Sequence, residues 1–315
     1  MVSGKGKDGE NRGDPGMKGI IRAGGYGTRL YPSTRAVNKH FFPVYDKPAV
    51  YYPLSLLIMT GVTKILLVVF PKDRQAYFDL LGDGSSFGVS ISYQIQSEPV
   101  GLPESLMECR DFIGSESIVV ALGDNVFFGE HLRRDIQGAA ERFQKRKGAT
   151  VFCKSVEDPR DFGVLEYGSD GRICSIEHNP RNPKSNYAVT GLFFFDADVF
   201  DTISRTETAE DGSVVFVQLL RQYLKEGRLY AEKLDESVRW FDTGTPERLY
   251  LASRAVREYQ RNFGACTGSI EEAAFNAGLI DTDRLLALAA ELKPAAYGRY
   301  LEEYALKAVI RHIKL

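Results

Sequence analysis

The residues that decide the fold are "IIRAGGYGTRLYP", positions 20–32, where an apolar run ends in three closely spaced glycines, a threonine, an arginine and a proline. An apolar run that stops at glycines is typical of a buried strand followed by a tight turn. Backbone N–H groups can approach a phosphate closely where no Cβ intervenes, so Gly24, Gly25 and Gly27 predict an anion-binding loop. A tight turn without a ligand is the alternative that this pattern leaves open. The spacing fits neither a Walker A motif nor GxGxxG.

Two arginines flank these glycines and raise different questions. Arg29 follows them, beside Thr28, and its planar fork can bind two oxygens of a triphosphate. Arg22 precedes them and interrupts the apolar run at a position where a buried strand should continue. The apolar pattern by itself gives no reason for a charge there.

Further apolar runs at 64–70, 117–124 and 149–155 predict three more buried strands. Segments with a helical pattern, 49–61 and 101–114, lie between the earlier runs. This alternation predicts an α/β fold whose sheet is mostly parallel and covered by helices on both faces. Ligands of such sheets bind at the carboxyl ends of the strands, which is where the glycines lie.

After residue 150 the sequence predicts a more strand-rich part. The stretch 161–178 alternates about a turn at 169–171 and reads as a hairpin. Strands are also predicted at 187–196, 229–234 and 238–242, helices at 214–227 and from Pro246 onward, and a helical tail at 281–313. Thr245 is a good N-cap for the helix that opens with Pro246.

Composition excludes several classes of protein. The chain has 315 residues, 43% of them hydrophobic, and a net charge of −2, so no long-range basic field for nucleic acid or a membrane is expected. No apolar stretch reaches the roughly 20 residues of a membrane helix. Four dispersed cysteines without a CxxC pair indicate reduced thiols and a cytoplasmic location. Residues 1–16 lack the apolar region of a signal peptide and are expected to be a disordered leader.

A series of motifs, in order along the chain, gives a specific resemblance. These motifs are "GGYGTRLYP" (24–32), Lys39, Pro43 with Lys47–Pro48, "LLGDGSSFG" (80–88), "LGDNVFFG" (122–129), "PKSNYAVTGLFFFD" (183–196) and "WFDTGT" (240–245). The sequence resembles the sugar-1-phosphate nucleotidylyltransferases, most closely the glucose-1-phosphate thymidylyltransferases, over about residues 17 to 300. The resemblance implies a Rossmann-like mixed sheet flanked by helices, with a β-rich sugar-binding part and a C-terminal helical appendage.

The resemblance also implies a reaction and its catalytic groups. A sugar phosphate oxygen attacks the α-phosphorus of a nucleoside triphosphate, which by this likeness is dTTP, and pyrophosphate leaves. Arg29 would stabilise the leaving pyrophosphate, and Lys39 would bind near the α-phosphate. Asp124 and Asp242 would hold Mg²⁺ together with phosphate oxygens. A solvated lysine and ordinary N-cap or loop aspartates are the structural alternatives for these residues.

The remaining site residues are also assigned by matching motif positions. Those expected to bind the nucleotide are Ala23, Gly24, Gly25, Gly27, Thr28, Gln96 and Gly101. The last two of these match positions that contact the base, for which an exposed polar strand end is the alternative. Those expected to bind the sugar are Gly163, His178, Asn179 and Val189.

The sequence departs from the family pattern mainly around the sugar. His178 and Asn179 stand where the family carries a glutamate and a lysine, and loss of that charge-assisted phosphate contact costs roughly 1.5–3 kcal/mol. Residues 214–217, "VVFV", replace a segment with acidic groups. Arg22 replaces a leucine beside the base, Val100 and Pro103 alter the base loop, and His40 replaces a glutamine.

Three hypotheses follow from this mixture. The first is an active nucleotidylyltransferase with a less polar acceptor, such as a deoxy-sugar or cyclitol phosphate. The second is a weak or inactive homologue that binds nucleotide and acts as a regulatory or subunit partner. The third, a nicotinamide-binding protein, fits worst because the glycine pattern is wrong.

The expected division is a core at 17–245, with nucleotide-binding (17–150) and sugar-binding (151–245) halves, and a helical region at 246–315 that supports a homo-oligomer, a tetramer by analogy.

Overall fold

The computed structural model of the chain describes residues 16–209 and 215–313. Its strands are β1 (Met17–Arg22), β2 (Pro43–Val44), β3 (Lys47–Pro48), β4 (Lys64–Val69), β5 (Ser90–Ile95), β6 (Ser117–Leu122), β7 (Asn125–Phe128), β8 (Ala149–Ser155), β9 (Gly163–Tyr167), β10 (Ile173–His178), β11 (Tyr187–Phe195), β12 (Leu229–Lys233) and β13 (Arg239–Asp242). Its helices are α1 (Tyr51–Met59), α2 (Arg74–Leu81), α3 (Leu102–Glu108), α4 (Arg110–Ile113), α5 (Leu132–Gln144), α6 (Val199–Arg205), α7 (Phe216–Lys225), α8 (Pro246–Phe263), α9 (Ile270–Asn276), α10 (Thr282–Glu291) and α11 (Ala296–Ile313).

One mixed sheet forms the centre of the fold. Its parallel part has the order β5-β4-β1-β6, and β11 joins β6 in the antiparallel sense. Strand β11 pairs with β8 along one edge and with β9 and then β6 along the other. The hairpin of β9 and β10 and the parallel pair of β8 and β12 complete the sheet. The predicted α/β class, with a mostly parallel sheet and a strand-rich extension, is confirmed.

Alternation of side chains along β1 gives the sheet two hydrophobic faces. Ile21 is fully buried in the core that contains α1, α5 and α9. Ile20 is buried in the second core, on the face covered by α3, α6 and α7. Arg22 is two residues beyond Ile20 and therefore belongs to this second face, at the carboxyl end of the strand.

A short antiparallel ladder outside the main sheet positions the acidic residues. Strands β7 and β13 pair so that Asn125 lies opposite Asp242. Asp124 immediately precedes Asn125, so this register brings the two aspartates predicted from the sequence to one place. The ladder thus joins segments that are far apart in the chain.

Several local predictions can be compared with the elements. Thr245 caps α8, since its side chain accepts a hydrogen bond from the Arg248 N–H. The stretch 101–114 forms two short helices, α3 and α4, separated at Cys109, rather than one. The predicted tail forms α10 and α11 with a break between them. Residues 1–15 of the predicted leader, and Val214 of the predicted helix 214–227, lie outside the described residues.

Candidate active site

The glycine loop lies at the carboxyl end of β1, as the sequence predicts. The Ala23 N–H donates to the carbonyl of Val68, which continues the pairing of β1 with β4. Gly25 and Gly27 have φ values of +132° and +59°, a region that L-residues rarely adopt. The backbone therefore turns sharply after the strand, and Thr28 and Arg29 follow in an exposed turn of 3-10 helix.

Lys39 and Asp124 meet at the edge of this loop. The Lys39 Nζ and the Asp124 Oδ2 are 2.5 Å apart, and their side chains are 16% and 15% exposed. Burial alone would raise the pKa of Asp124, but the ammonium of Lys39 holds that pKa well below its usual range. The alternative that Lys39 is an ordinary solvated surface charge is therefore wrong.

Asp242 is held next to Asp124 by backbone contacts. Thr243 donates to the carbonyl of Asp124 through both its N–H (2.9 Å) and its Oγ1 (2.8 Å). The Gly244 N–H donates to the Asp242 Oδ1 at 2.8 Å. Burial raises the pKa of Asp242, and the negative charge of Asp124 acts in the same direction. The two carboxylates are thus close enough to repel each other.

This pair suits a hard divalent cation. Mg²⁺ is usually bound by one or two carboxylates, with water and phosphate oxygens in the other positions. Two neighbouring carboxylates whose repulsion raises a pKa supply such a donor set, and a cation between them would relieve the repulsion. Among residues 16–209 and 215–313 no group of three or more His, Cys, Asp or Glu side chains could hold a metal. A metal at this pair would therefore need oxygens from the substrate or water.

Two guanidinium groups approach the same carboxylate. A Cβ built on Gly244 would lie 2.4 Å from the Arg29 Nη2 and 2.8 Å from the Asp242 Oδ1, so Gly244 leaves room for Arg29. The Arg248 Nη1 donates to the Asp242 Oδ2 at 3.3 Å, and its Nη2 donates to Asp161. Arg248 was not predicted from the sequence, although its place in the first turn of α8, soon after Asp242, is a usable signal.

The expected base-binding side lies at the end of β5. Gln96 is 2% exposed, which excludes the alternative of an exposed strand end. Its Nε2 donates to the Glu108 Oε2 at 2.7 Å, and its Oε1 is buried without a partner among the described residues. A carboxylate can only accept, so this contact fixes which end of the amide faces Glu108. The free Oε1 lies 3.4 Å from where a Cβ on Gly24 would stand, while Gly101 begins α3 nearby.

A cleft of about 310 Å³ opens beside Asp242. Its polar lining includes Asn125, Asp161, His178 and Asp242. Most of its wall is apolar and is contributed by Leu102, Leu122, Ile176, Phe193, Phe216 and Leu220, together with Val215 and Val217 from the start of α7. The volume is within the range of small-molecule sites.

Asn125 fixes one side of this cleft. Its Oδ1 accepts hydrogen bonds from the Gly191 N–H at 3.1 Å and from the Trp240 Nε1 at 2.6 Å. A Cβ on Gly191 would lie 2.4 Å from Asn125, so only glycine permits this approach. The side chain thereby connects β7, β11 and β13, which carry the cleft and the aspartates. Neither Asn125 nor Trp240 was predicted as a site residue, although both lie in conspicuous motifs, "LGDNVFFG" and "WFDTGT".

The four residues expected to bind the sugar do not all face the cleft. Gly163, Val189 and His178 line it, on neighbouring strands β9, β11 and β10. Asn179 follows β10 with φ of +47°, is exposed, and is not among the described residues that line the cleft. Its N–H donates to the carbonyl of Phe162 at 2.9 Å.

His40, the other departure from the family pattern near the glycine loop, is a buried residue that contacts Tyr77. It is 1% exposed, and its Nδ1 lies 3.0 Å from the Tyr77 hydroxyl. Burial lowers the pKa of His40 to about 3, and the charge of Lys39 acts in the same direction. His40 is therefore neutral near pH 7 and adds no positive charge beside Lys39.

Comparisons with known proteins show the family to which the chain belongs. Residues 18–259 match the family model described as nucleotidyl transferase. The chain is 44% identical to the glucose-1-phosphate thymidylyltransferase of Mycolicibacterium smegmatis and 41% identical to that of Neisseria meningitidis. Each alignment covers 90% of this chain and 98% of the relative.

Solved structures give the same assignment. A putative glucose-1-phosphate thymidylyltransferase from Bacillus anthracis, in complex with a sucrose, superposes with a TM-score of 0.70 at 36% identity. The match covers 77% of this chain and 96% of that one. A UDP-glucose pyrophosphorylase complexed with UDP-glucose, at 24% identity and a TM-score of 0.67, shares the fold.

The fold and the match to the family model define a nucleotidyl transferase. Within that class the chain belongs to the family of sugar-1-phosphate nucleotidylyltransferases, and its curated relatives are glucose-1-phosphate thymidylyltransferases. Within the described residues no helix combines the length and apolar character of a membrane span.

Proposed function

We propose that the protein transfers a nucleoside monophosphate from dTTP to a sugar-1-phosphate or a sugar-like phosphate. An oxygen of the acceptor phosphate forms a bond to the α-phosphorus, the bond from that phosphorus to the oxygen of the β-phosphate breaks, and pyrophosphate leaves. The observation that carries the proposal is the convergence of Arg29, Lys39, Asp124 and Asp242 at the end of β1. Their arrangement supplies opposite charges where phosphates would meet.

Each of these residues has a proposed role. Lys39 orients the α-phosphate and neutralises charge that develops on it, and Arg29 stabilises the pyrophosphate as it leaves. Asp124 and Asp242 would hold Mg²⁺. When bound, that ion supplies positive charge to the reacting phosphate oxygens. The backbone N–H groups of the glycine loop, from Gly24 to Gly27, bind the remaining phosphate oxygens.

The nucleotide and the acceptor occupy different parts of the site in this proposal. Gln96 and Gly101 contact the base, with the free Oε1 of Gln96 accepting an N–H of the base. Ala23 and Thr28 complete the nucleotide contacts. Gly163, Val189, His178 and Asn179 belong to the acceptor side.

The acceptor is less hydroxylated than glucose-1-phosphate on the side that faces α7. Val215 and Val217 present methyl groups to the cleft and offer no hydrogen bonds. A hydroxyl that loses its hydration without gaining a partner costs about 1–3 kcal/mol. A deoxy-sugar phosphate that lacks the hydroxyl on this side avoids that loss.

The alternative is a homologue that binds nucleotide without catalysis. The ion pair of Lys39 with Asp124 and the proximity of Arg29 to Asp242 favour activity, because each brings a group that acts on a different phosphate to the same carboxylate pair. A protein that only binds nucleotide would need fewer of these charged groups.

Pyrophosphate release tests the proposal. The protein is incubated with Mg²⁺, each nucleoside triphosphate in turn, and glucose-1-phosphate, 6-deoxyglucose-1-phosphate or a cyclitol phosphate. We expect release with dTTP and fastest turnover with an acceptor that lacks a hydroxyl. If dTTP raises the melting temperature but no acceptor releases pyrophosphate, the inactive homologue is the correct reading.

We also infer a homo-oligomer, a tetramer by analogy with the family, and a cytoplasmic location remains a prediction from the thiols. Phe263 at the end of α8 is 67% exposed, and Leu306 and Ile310 on α11 are 51% and 52% exposed. Apolar side chains on two neighbouring helical surfaces support an interface between copies. Light scattering after size exclusion gives the mass, and a monomer at micromolar concentration contradicts the inference.

A further inference from the structure

Arg22 lies at the junction between the base loop and the acceptor cleft. Its side chain leaves the end of β1 on the face covered by α3 and α7, and it lines the cleft together with Leu102 and Val217. The Arg22 Nη2 donates to the carbonyl of Val100, next to Gly101, the N-cap of α3. This contact satisfies one edge of the guanidinium.

The other edge of the guanidinium is not satisfied. The Arg22 Nε is buried and has no hydrogen-bond partner among the described residues. Burial lowers the pKa of Arg22, and the carboxylates of Asp124 and Glu104 lie close enough to oppose that effect. An N–H of a charged group that is removed from water without a partner is costly, so a partner from the substrate is expected.

Arg22 is the positive charge that the cleft lining offers to an anionic partner. Apart from Arg22, the titratable side chains that line the cleft in the described part of the chain are Asp161, His178 and Asp242. Arg22 is thus the one arginine or lysine among those lining residues. Asn179, at the position where the family carries a lysine, supplies no charge.

We propose that Arg22 is the residue that binds the phosphate of the acceptor, through the Nε edge that the protein leaves free. This inference rests on the proposed function. It assigns to Arg22 the charge that Asn179 lacks, and it places that charge close to Asp124, where the acceptor phosphate must meet the α-phosphorus. The acceptor is then held by one cation at its phosphate and by an apolar wall along its ring.

Binding measurements can separate this role from others. We compare the wild-type protein with Arg22→Leu, Arg22→Lys and Arg29→Leu by calorimetry, using dTTP, dTDP-glucose and dTDP-6-deoxyglucose with Mg²⁺. In the dTDP-sugars the β-phosphate is the former acceptor phosphate. Arg22→Leu should weaken binding of the dTDP-sugars by about ten- to a hundredfold and that of dTTP by less than about twofold. Arg29→Leu should weaken binding of dTTP more than binding of the dTDP-sugars. Arg22→Lys should recover part of the affinity for the dTDP-sugars that Arg22→Leu loses.

Other outcomes overturn the inference in distinguishable ways. If Arg22→Leu weakens dTTP and the dTDP-sugars equally, Arg22 only supports the base loop through Val100. If all ligands bind as in the wild type, Arg22 has no binding role. A wild-type protein that binds dTTP but neither dTDP-sugar also contradicts the inference. Failure of the wild type to bind dTTP contradicts the proposed function itself. If Arg22→Leu does not fold, Arg22→Gln gives the same comparison because it keeps a polar side chain of similar reach.

Discussion

The Lys39 Nζ lies 2.5 Å from the Asp124 Oδ2, and this ion pair joins the loop after β1 to the carboxyl end of β6. It places a cation beside a carboxylate that is expected to hold the metal. Lys39 is thereby oriented before any substrate arrives, and orientation in advance is what an electrostatic catalyst needs.

Replacing Lys39 by methionine tests this orientation. Lys39→Met keeps most of the side-chain volume but removes the charge, so we expect kcat to fall by about 10²- to 10³-fold with dTTP. The pKa of Asp124 should rise, because the main charge that opposes the effect of burial is then removed. Steady-state pyrophosphate release measures the first effect. Lys72→Met, at an exposed lysine in another loop, is the matched control and should keep wild-type activity.

The raised pKa of Asp242 predicts how metal dependence changes with pH. Mg²⁺ binds the ionised carboxylate, so protons compete with the metal as pH falls through that raised pKa. The Mg²⁺ concentration for half-maximal rate should increase from pH 8 to pH 5.5. Asp242→Asn should increase it at least about tenfold at pH 7.5, whereas Asp158→Asn, at an exposed carboxylate paired with Arg160, should not. Equal metal dependence at both pH values would show that Asp242 is not a ligand.

The acceptor side predicts a gain of function. His178→Glu should restore a carboxylate that accepts hydrogen bonds from sugar hydroxyls, and Asn179→Lys should restore a positive charge that binds phosphate. The double variant should therefore lower the KM for glucose-1-phosphate by about ten- to a hundredfold. Ser169→Lys adds a charge in the turn between β9 and β10, away from the cleft, and should give no gain. An unchanged KM in the double variant would mean that the acceptor site has diverged at other positions as well.

The contact between Gln96 and Glu108 predicts a positioning role. Glu108 fixes the amide so that the Oε1 of Gln96 is the atom left free. Glu108→Ala should raise the KM for dTTP by about two- to tenfold, leave kcat nearly unchanged, and lower the preference for dTTP over dCTP. Asp111→Ala, at an exposed acid on α4, serves as the control. A change in kcat alone would argue against a role in base recognition.

His40 predicts a pH dependence of stability. Its folded pKa of about 3 is below the unfolded value of about 6.5, so between these values the unfolded chain binds more protons. The free energy of unfolding should therefore decrease as pH falls below 6.5, by up to about 1.4 kcal/mol per pH unit from this residue. Denaturant titrations of the wild type and His40→Gln at pH 7.5, 6 and 5 measure the difference. Parallel pH profiles of the two proteins would contradict the prediction.

The sequence predicts the framework of this fold well where patterns are local. The apolar runs at 64–70 and 117–124 predicted β4 and β6 because buried parallel strands are continuously hydrophobic. The cap at Thr245 was predicted because an N-cap is a contact within four residues. The break at Cys109 was missed because the amphipathic pattern runs through both α3 and α4.

Contacts between distant segments were not predictable from residue types. The approach of Arg29 to Asp242 depends on the register of β7 with β13. The residues of neither strand specify that register by themselves. The same applies to Asn125, whose hydrogen bonds to Gly191 and Trp240 exist only once three strands have assembled. The resemblance to the nucleotidylyltransferases predicted that these residues meet in one site, because members of a family share the spatial arrangement of their motifs.

The antiparallel ladder of β7 with β13 and the first turn of α7 should tolerate amino-acid substitutions to different degrees. The aspartates are tied to backbone pairing, so a change there disturbs several strands at once. Val215, the N-cap of α7, and Val217, in its first turn, line the cleft and take no part in the pairing of strands. If these two valines select the acceptor as proposed, substitutions in this one turn would change the preferred acceptor and leave the paired aspartates in place.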